Sequence, residues 1–352
     1  MLRRNLFLVL LALCALSSFA SEMKVSTLFF GDYYWNEHTD TASNNGQHGL
    51  DLRRIYLNFD SALDENHSAK VQLEANTSTV GSGSGQFSAG MASFVKQANI
   101  TRKMGDHALS IGIVGTPAFA SVESTWGYRD VEKTPTDLLG WVGSVDGGIA
   151  AKGSFMEKKL LYHVLYGNGS KLNRETDKYK EFSGSLGAAP IKDLLIELYY
   201  DKKNSFKGLT DTTINQLFVA YKMNRLRFGA QYATYKLKTQ TAGVATDDLK
   251  RNVLSAFAVK ELTETWSAFA RYDMVQAETD ASASTANLYY VTTNANATKY
   301  NLMIIGADYK DSENFHVIPN LERVGYSAQK STVTTAKPKT DEIVRVTFSY
   351  KF

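Results

Sequence analysis

Apolar and polar residues alternate along most of this chain. Its last eleven residues, EIVRVTFSYKF, place Val344, Val346, Phe348, Tyr350 and Phe352 in one register and Arg345, Thr347, Ser349 and Lys351 in the other. That period of two marks a strand with one apolar and one polar face. The same pattern sets Leu194, Ile196, Leu198 and Tyr200 against Glu197, Tyr199 and Asp201, and Ala69, Val71, Leu73 and Ala75 against Lys70, Gln72, Glu74 and Asn76. It predicts strands over 23–35, 49–61, 67–79, 92–102, 108–115, 147–155, 159–168, 178–189, 194–204, 213–223, 226–238, 250–261, 265–277, 299–310, 314–327 and 340–352. These number about sixteen, each near the length that a tilted strand needs to cross a bilayer.

The links between them alternate as well. After even-numbered strands they are short (DENHS, KMGDH, MEKK, PIKD, MNR, ELTET, DSEN), and after odd-numbered strands they are longer and more polar. Short turns at one rim and long loops at the other fit an antiparallel barrel in an outer membrane, with both termini on the periplasmic side. In such a barrel the last strand pairs with the first, around Val25 to Tyr34, because an unpaired edge in lipid is costly. Phe352 would close that seam at the membrane boundary.

The N-terminus narrows the setting. Residues 1–20 combine Arg3 and Arg4, an apolar run from Leu6 to Leu16, and Ser18-Phe19-Ala20, the pattern of a secretory signal peptide cut before Ser21. The run is too short for a spanning helix. Cys14 is the only cysteine, so the mature domain, 21–352, is expected to lack thiol and disulfide chemistry. The net charge of +3 falls to +1 without Arg3 and Arg4, which implies no nucleic-acid partner. No linker or composition shift divides the chain.

Between ALSIGIVG and GGIAAKGSF lies one exceptional connection of about thirty residues, TPAFASVESTWGYRDVEKTPTDLLGWVGSVD. A loop of this length is usually functional. Together with LRR (Leu52 to Arg54), GIVGTPAF (Gly112 to Phe119), WGYRDVEKTPTDL (Trp126 to Leu138), YGNG (Tyr166 to Gly169), FARYD (Phe269 to Asp273), IPN (Ile318 to Asn320) and the terminal Phe, it resembles the bacterial outer-membrane porin superfamily, in particular its phosphate-selective (O/P-type) and general diffusion branches. The resemblance implies that residues 116–145 fold into the lumen and narrow the pore. It also implies homotrimers, recognition of the C-terminal strand by the barrel-assembly machinery, and contact with outer-membrane lipid. Geometry asks for an insertion independently, since sixteen strands enclose a channel too wide for their own side chains to fill. Thr134-Pro135, with Asp137 following, reads as the start of a short helix in the loop.

Candidate selectivity residues follow from side-chain direction. The loop carries Glu123, Asp130, Glu132 and Asp137 with Arg129 and Lys133, while alternation turns Arg54, Lys70, Glu74, Lys152, Arg227, Arg271, Asp273 and Arg345 toward the lumen. Opposed acids and bases across a narrow passage favour polar solutes. A phosphate-selective pore calls for a basic ladder with few acids, which this mixture lacks, so the expectation is a water-filled channel for passive diffusion of small hydrophilic solutes and ions. An anion- or phosphate-selective pore, and a receptor or adhesin barrel acting through its outer loops, stay open as alternatives. The outer loops at 36–48, 278–298 and 328–339 read as solvated surface. The six histidines are scattered, and GSGSG at 81–85 lacks a following Gly-Lys-Ser/Thr; no enzyme, metal or cofactor is implied.

Overall fold

The computed structural model describes residues 23–76, 92–205, 210–241, 244–245, 248–278, 280–334 and 336–352. The expected signal peptide, the GSGSG segment and positions 77–79 of the third predicted strand lie outside them. Sixteen long strands are found among the described residues: β1 (Met23–His38), β2 (His48–Ala62), β3 (His67–Asn76), β4 (Ala92–Met104), β5 (His107–Gly115), β6 (Val145–Phe155), β7 (Leu160–Gly167), β8 (Glu181–Ala188), β9 (Leu194–Ser205), β10 (Thr210–Met223), β11 (Leu226–Thr241), β12 (Leu249–Glu261), β13 (Trp266–Ala277), β14 (Ala297–Lys310), β15 (Phe315–Gln329) and β16 (Asp341–Lys351). A two-residue ribbon, Val244–Ala245, extends the end of β11.

Each strand pairs antiparallel with the next, and β1 pairs with β16, so the sheet closes. At the seam Leu28 faces Lys351, and Thr27 and Phe352 exchange both backbone hydrogen bonds at 2.8 and 3.1 Å. Closure leaves no strand edge open. Links after even-numbered strands are short and those after odd-numbered strands are longer, as the sequence predicts, except that β9 and β10 run further than expected and are separated by only four residues.

The outward face is apolar and exposed, carrying among others Val71, Ile100, Ile111, Ile149, Leu186, Leu198, Leu217, Leu254, Ile305, Val344 and Val346. A continuous belt of this kind is a surface made for hydrocarbon. Inside, the wall divides. From β2 to β6 it presents polar groups such as Arg54, Lys70, Gln72, Gln97 and Lys152, whereas from β9 to β15 it presents Ile214, Phe218, Val253, Phe257, Phe269, Leu302 and Ile318, all buried. The molecule's main core therefore lies within the barrel.

Two bulges break the alternation on the polar side. Phe30 faces Arg54 while Gly31 faces Leu52, which makes Arg53 an extra residue in β2. Likewise Gln72 faces Gln97 and Leu73 faces Val95, leaving Lys96 extra in β4. A bulge lets two successive side chains share one face, so Arg53 joins Arg54 in the lumen and Lys96 joins Gln97. Gly31 permits the first bulge: a Cβ there would approach the Asp51 carbonyl oxygen to 2.2 Å and the Phe348 ring to 2.7 Å. Gly31→Ala is expected to destabilise the barrel by about 1–3 kcal/mol through overpacking, read as a lower urea midpoint in detergent. Gly49→Ala, whose Cβ would meet only the Tyr34 ring at 3.8 Å, is expected to unfold like the parent.

Candidate functional site

The loop between β5 and β6 folds into the barrel. Its stem is pinned by Thr116, whose amide donates to the Ser144 carbonyl at 3.1 Å and whose hydroxyl donates to that of Gly143 at 2.6 Å. Two short helices follow, α1 (Ala120–Trp126) and α2 (Pro135–Leu138). α1 ends at Gly127 in the left-handed region, φ +75°, where its amide donates to the Glu123 carbonyl at 2.8 Å. Pro135 opens α2 as the sequence predicts, but the Thr134 hydroxyl makes no capping bond.

One face of the loop is a hydrophobic wedge. Trp126 is fully buried and packs edge-on against Phe257 and Phe269, with ring centroids 5.2 and 5.7 Å away, while Tyr128 stacks on Phe269 at 4.1 Å. The wall is shaped for these rings. Phe257 lies over Gly229 and Phe269 over Gly306, where a Cβ would come within 2.2 and 2.4 Å of the respective ring. Burial of this kind is the main force holding the loop down.

Wall arginines complete the attachment. Arg227 donates to the carbonyls of Thr125 and Trp126 at 2.8 and 3.2 Å, a cation placed on the free carbonyls at the end of α1. Arg271, oriented by Asp273 at 2.9 and 3.1 Å, donates to the Lys133 carbonyl at 2.6 Å. Arg53, paired with Asp32, donates to the Asp130 carbonyl. Their guanidiniums are thus bound to loop backbone.

The same attachment sorts the other candidates by position. Asp130 and Glu132 turn to the wall, and Glu132 is fully buried. Arg345 is buried too, paired with Glu322 and donating to the Asn320 side-chain oxygen at 3.0 Å. On the side away from the wedge, Arg129 bridges Glu123 and Asp137, both at 3.1 Å. Within electrostatic reach stands Arg54, which contacts Glu74 at 3.3 Å and donates to Tyr56 Oη at 2.9 Å; Lys96 also reaches Glu74, at 3.1 Å. The structure therefore brings Glu123, Arg129 and Asp137 together with Arg54 and Glu74. Lys70, 3.3 Å from Asp60, and Lys152 line a cavity of about 720 Å³ beside β2 to β7. Lys133 lies near the ring of Tyr289, its ammonium 5.1 Å from the centroid.

Burial raises the Glu123 carboxyl above its ordinary range and Asp137 adds to this, with Arg129 opposing. Asp130 is raised by burial, with Ser349 and Arg53 opposing. Burial acts against the charge of Arg129, but Tyr289, Asp137, Tyr56 and Glu123 outweigh it and hold the guanidinium firmly protonated.

Sequence reasoning missed Arg53 and Lys96, because strict alternation sends both to lipid. The signal was available in their cost: a basic residue on a lipid face costs roughly 2–4 kcal/mol at the midplane, so an unpaired charge in the apolar register points to a bulge, whereas Arg323, outward in an unbroken ladder, is paired there with Glu342. The reading of 278–298 as solvated surface is corrected. Ala283, Ala286, Leu288 and Val291 are buried, and Trp141 Nε1 donates to Ser284 Oγ at 3.1 Å. Small and apolar side chains let this loop enter the barrel and extend the inner core.

No protein-family model matches the sequence, and comparison with curated proteins finds no match. Solved structures match in shape. The anion-selective porin from Comamonas acidovorans superposes with a TM-score of 0.70 at 13% identity, covering 94% of this chain and 100% of that one. The outer-membrane channel DcaP of Acinetobacter baumannii gives 0.64 at 10% identity, over 94% and 97%. In-vitro folded OmpT of Vibrio cholerae, in a trimer form, gives 0.61 at 12% identity, over 95% and 100%. At such identities the likeness establishes the fold, which is that of the outer-membrane porins.

A pH dependence follows from Glu123. Because its folded-state affinity for a proton is raised, it loses its charge before ordinary carboxylates do as pH falls. In a conducting barrel, mild acidification is expected to move the reversal potential toward anions. Glu123→Gln is expected to be shifted already at neutral pH and to stay flat through that first step.

Proposed function

We propose that this chain is a porin of the bacterial outer membrane, a passive channel for small hydrophilic solutes and ions. The observation that carries the reading is a closed barrel narrowed from within by a loop docked on one wall, with a water-accessible cavity left along the other. Glu123, Arg129, Asp137, Arg54, Glu74 and Lys96 form the charged part of the aperture. Because these groups pair with one another, their fields largely cancel, and a weakly selective pore is the reading they support.

A second reading, a preference for anions, is favoured by the cavity itself. Lys24, Lys70 and Lys152 line it, with Asp60 the carboxylate among its lining residues. A lysine-lined approach raises the local anion concentration at low ionic strength. The general-diffusion reading remains first, because both Lys70 and the aperture cations are paired. Neither reading assigns catalysis. Assembly as a trimer, which the trimer form of the OmpT structure supports, export through the cleaved leader and delivery by the barrel-assembly machinery belong to the same proposal.

Single-channel recording of the refolded protein in a planar bilayer tests it. Large, nearly ohmic steps with modest ion preference under a KCl gradient are expected. Strong anion selectivity with block by phosphate would favour the second reading. Silence from well-folded protein would sink both.

A further inference from the structure

The loop between β13 and β14, described over residues 280–296, enters the same lumen and is braced at its base and its tip. At its base Ser284 accepts from Trp141 Nε1 at 3.1 Å, and its carbonyl accepts from Tyr300 Oη at 3.0 Å. Above the base it closes on itself: Ala286 N donates to Thr293 Oγ1 at 2.8 Å, Thr293 N donates to the Ala286 carbonyl at 3.1 Å, and Asn287 bridges Thr292. The tip holds two tyrosines. Tyr290 stacks on Tyr34 with centroids 3.7 Å apart and donates to Asp32 Oδ2 at 2.7 Å. This fixes the neighbouring Tyr289 against the aperture.

Tyr289 touches three cations at once. Its hydroxyl accepts from Arg129 Nη1 at 2.9 Å, and its ring lies 3.9 Å from the Arg53 guanidinium carbon and 5.1 Å from Lys133 Nζ. A ring face over a guanidinium satisfies it electrostatically and shields it from other partners. The hydroxyl gives Arg129 a third acceptor beside Glu123 and Asp137, so that guanidinium is held in place.

We propose that the loop segment 280–296 is a second constriction element and that its Tyr289 is a specificity-determining residue, one that masks Arg53 and Lys133 and fixes Arg129. Through it the aperture presents less positive charge to solutes than its residue content implies. The proposal rests on the pore reading given above. It adds that the ion preference is set jointly by two loops, and that loosening the second one exposes cations and widens the passage.

The test is the reversal potential and conductance of the full refolded chain under a KCl gradient, for wild type, Tyr289→Leu, Tyr289→Phe and, as a control on the same loop, the exposed Ala295→Ser. Tyr289→Leu removes both ring and hydroxyl. It is expected to raise the chloride-to-potassium permeability ratio by roughly twofold or more and to increase conductance. Tyr289→Phe keeps the ring and frees only Arg129, so it is expected to shift the ratio in the same direction by less. Ala295→Ser should match wild type. A Tyr289→Leu channel with wild-type ratio and conductance would overturn the proposal. If that variant does not refold, a wild-type ratio in Tyr289→Phe would do so. A wild type without channels defeats the pore reading itself, whereas a conducting wild type matched by both tyrosine variants defeats only the role of Tyr289.

Discussion

Hydrocarbon offers no hydrogen bonds, so each backbone group of a strand in lipid must find its partner in another strand. Closing the sheet is the solution, and here it takes sixteen strands, with Thr27 and Phe352 bonded across the seam. The rest of the structure follows from that number. A barrel this wide cannot be filled by its own inward side chains, and the chain fills part of it with loops. One half of the inner wall is therefore apolar, a feature with no purpose in an empty channel. Phe218, Phe257, Phe269 and their neighbours form the floor on which Trp126 and Tyr128 rest.

Charge is used in two distinct ways inside. Arg53, Arg227 and Arg271 hold loop carbonyls, and Arg345 is committed to Glu322 and Asn320. Desolvating such groups costs nearly as much as their pairing returns, so they define where the loop sits more than they stabilise it. The apolar wedge supplies the stabilisation. The second set forms two ion-paired groups, Arg54 and Lys96 on Glu74 and Arg129 on Glu123 and Asp137, close enough for Arg54 to act on Glu123 through its charge. With three cations against three carboxylates, the set carries no net formal charge.

Strand number, link alternation and the seam at Phe352 were legible because a period of two is a direct imprint of a wall with two environments. The inserted first loop was legible from its length. The bulges at Arg53 and Lys96 were missed because strict alternation assumes the register that a bulge breaks, although the cost of a charge facing lipid pointed to them. Nor was the apolar half of the lumen: a strand such as β10, with Ile214 and Phe218 facing in and Leu217 and Tyr221 facing out, is apolar on both faces, and composition does not say which covers a loop and which meets lipid. Loops have no period, so the turning of Asp130 and Glu132 to the wall, and of Glu123 and Asp137 away from it, left no trace in spacing. The 278–296 loop misled through its Ser, Thr and Ala content, which suits a solvated surface and a tightly packed turn equally well.

The central claim is that the docked β5–β6 loop defines the conducting path, and single-channel recording of Trp126→Ala beside wild type tests it most directly. Deleting a buried indole costs roughly 3–5 kcal/mol, enough to loosen the wedge from Phe257 and Phe269 while the barrel's backbone ladder stays closed. The account predicts a noisier open channel whose conductance departs from the wild-type level. Traces indistinguishable from wild type, from variant protein that is equally well folded, would contradict it.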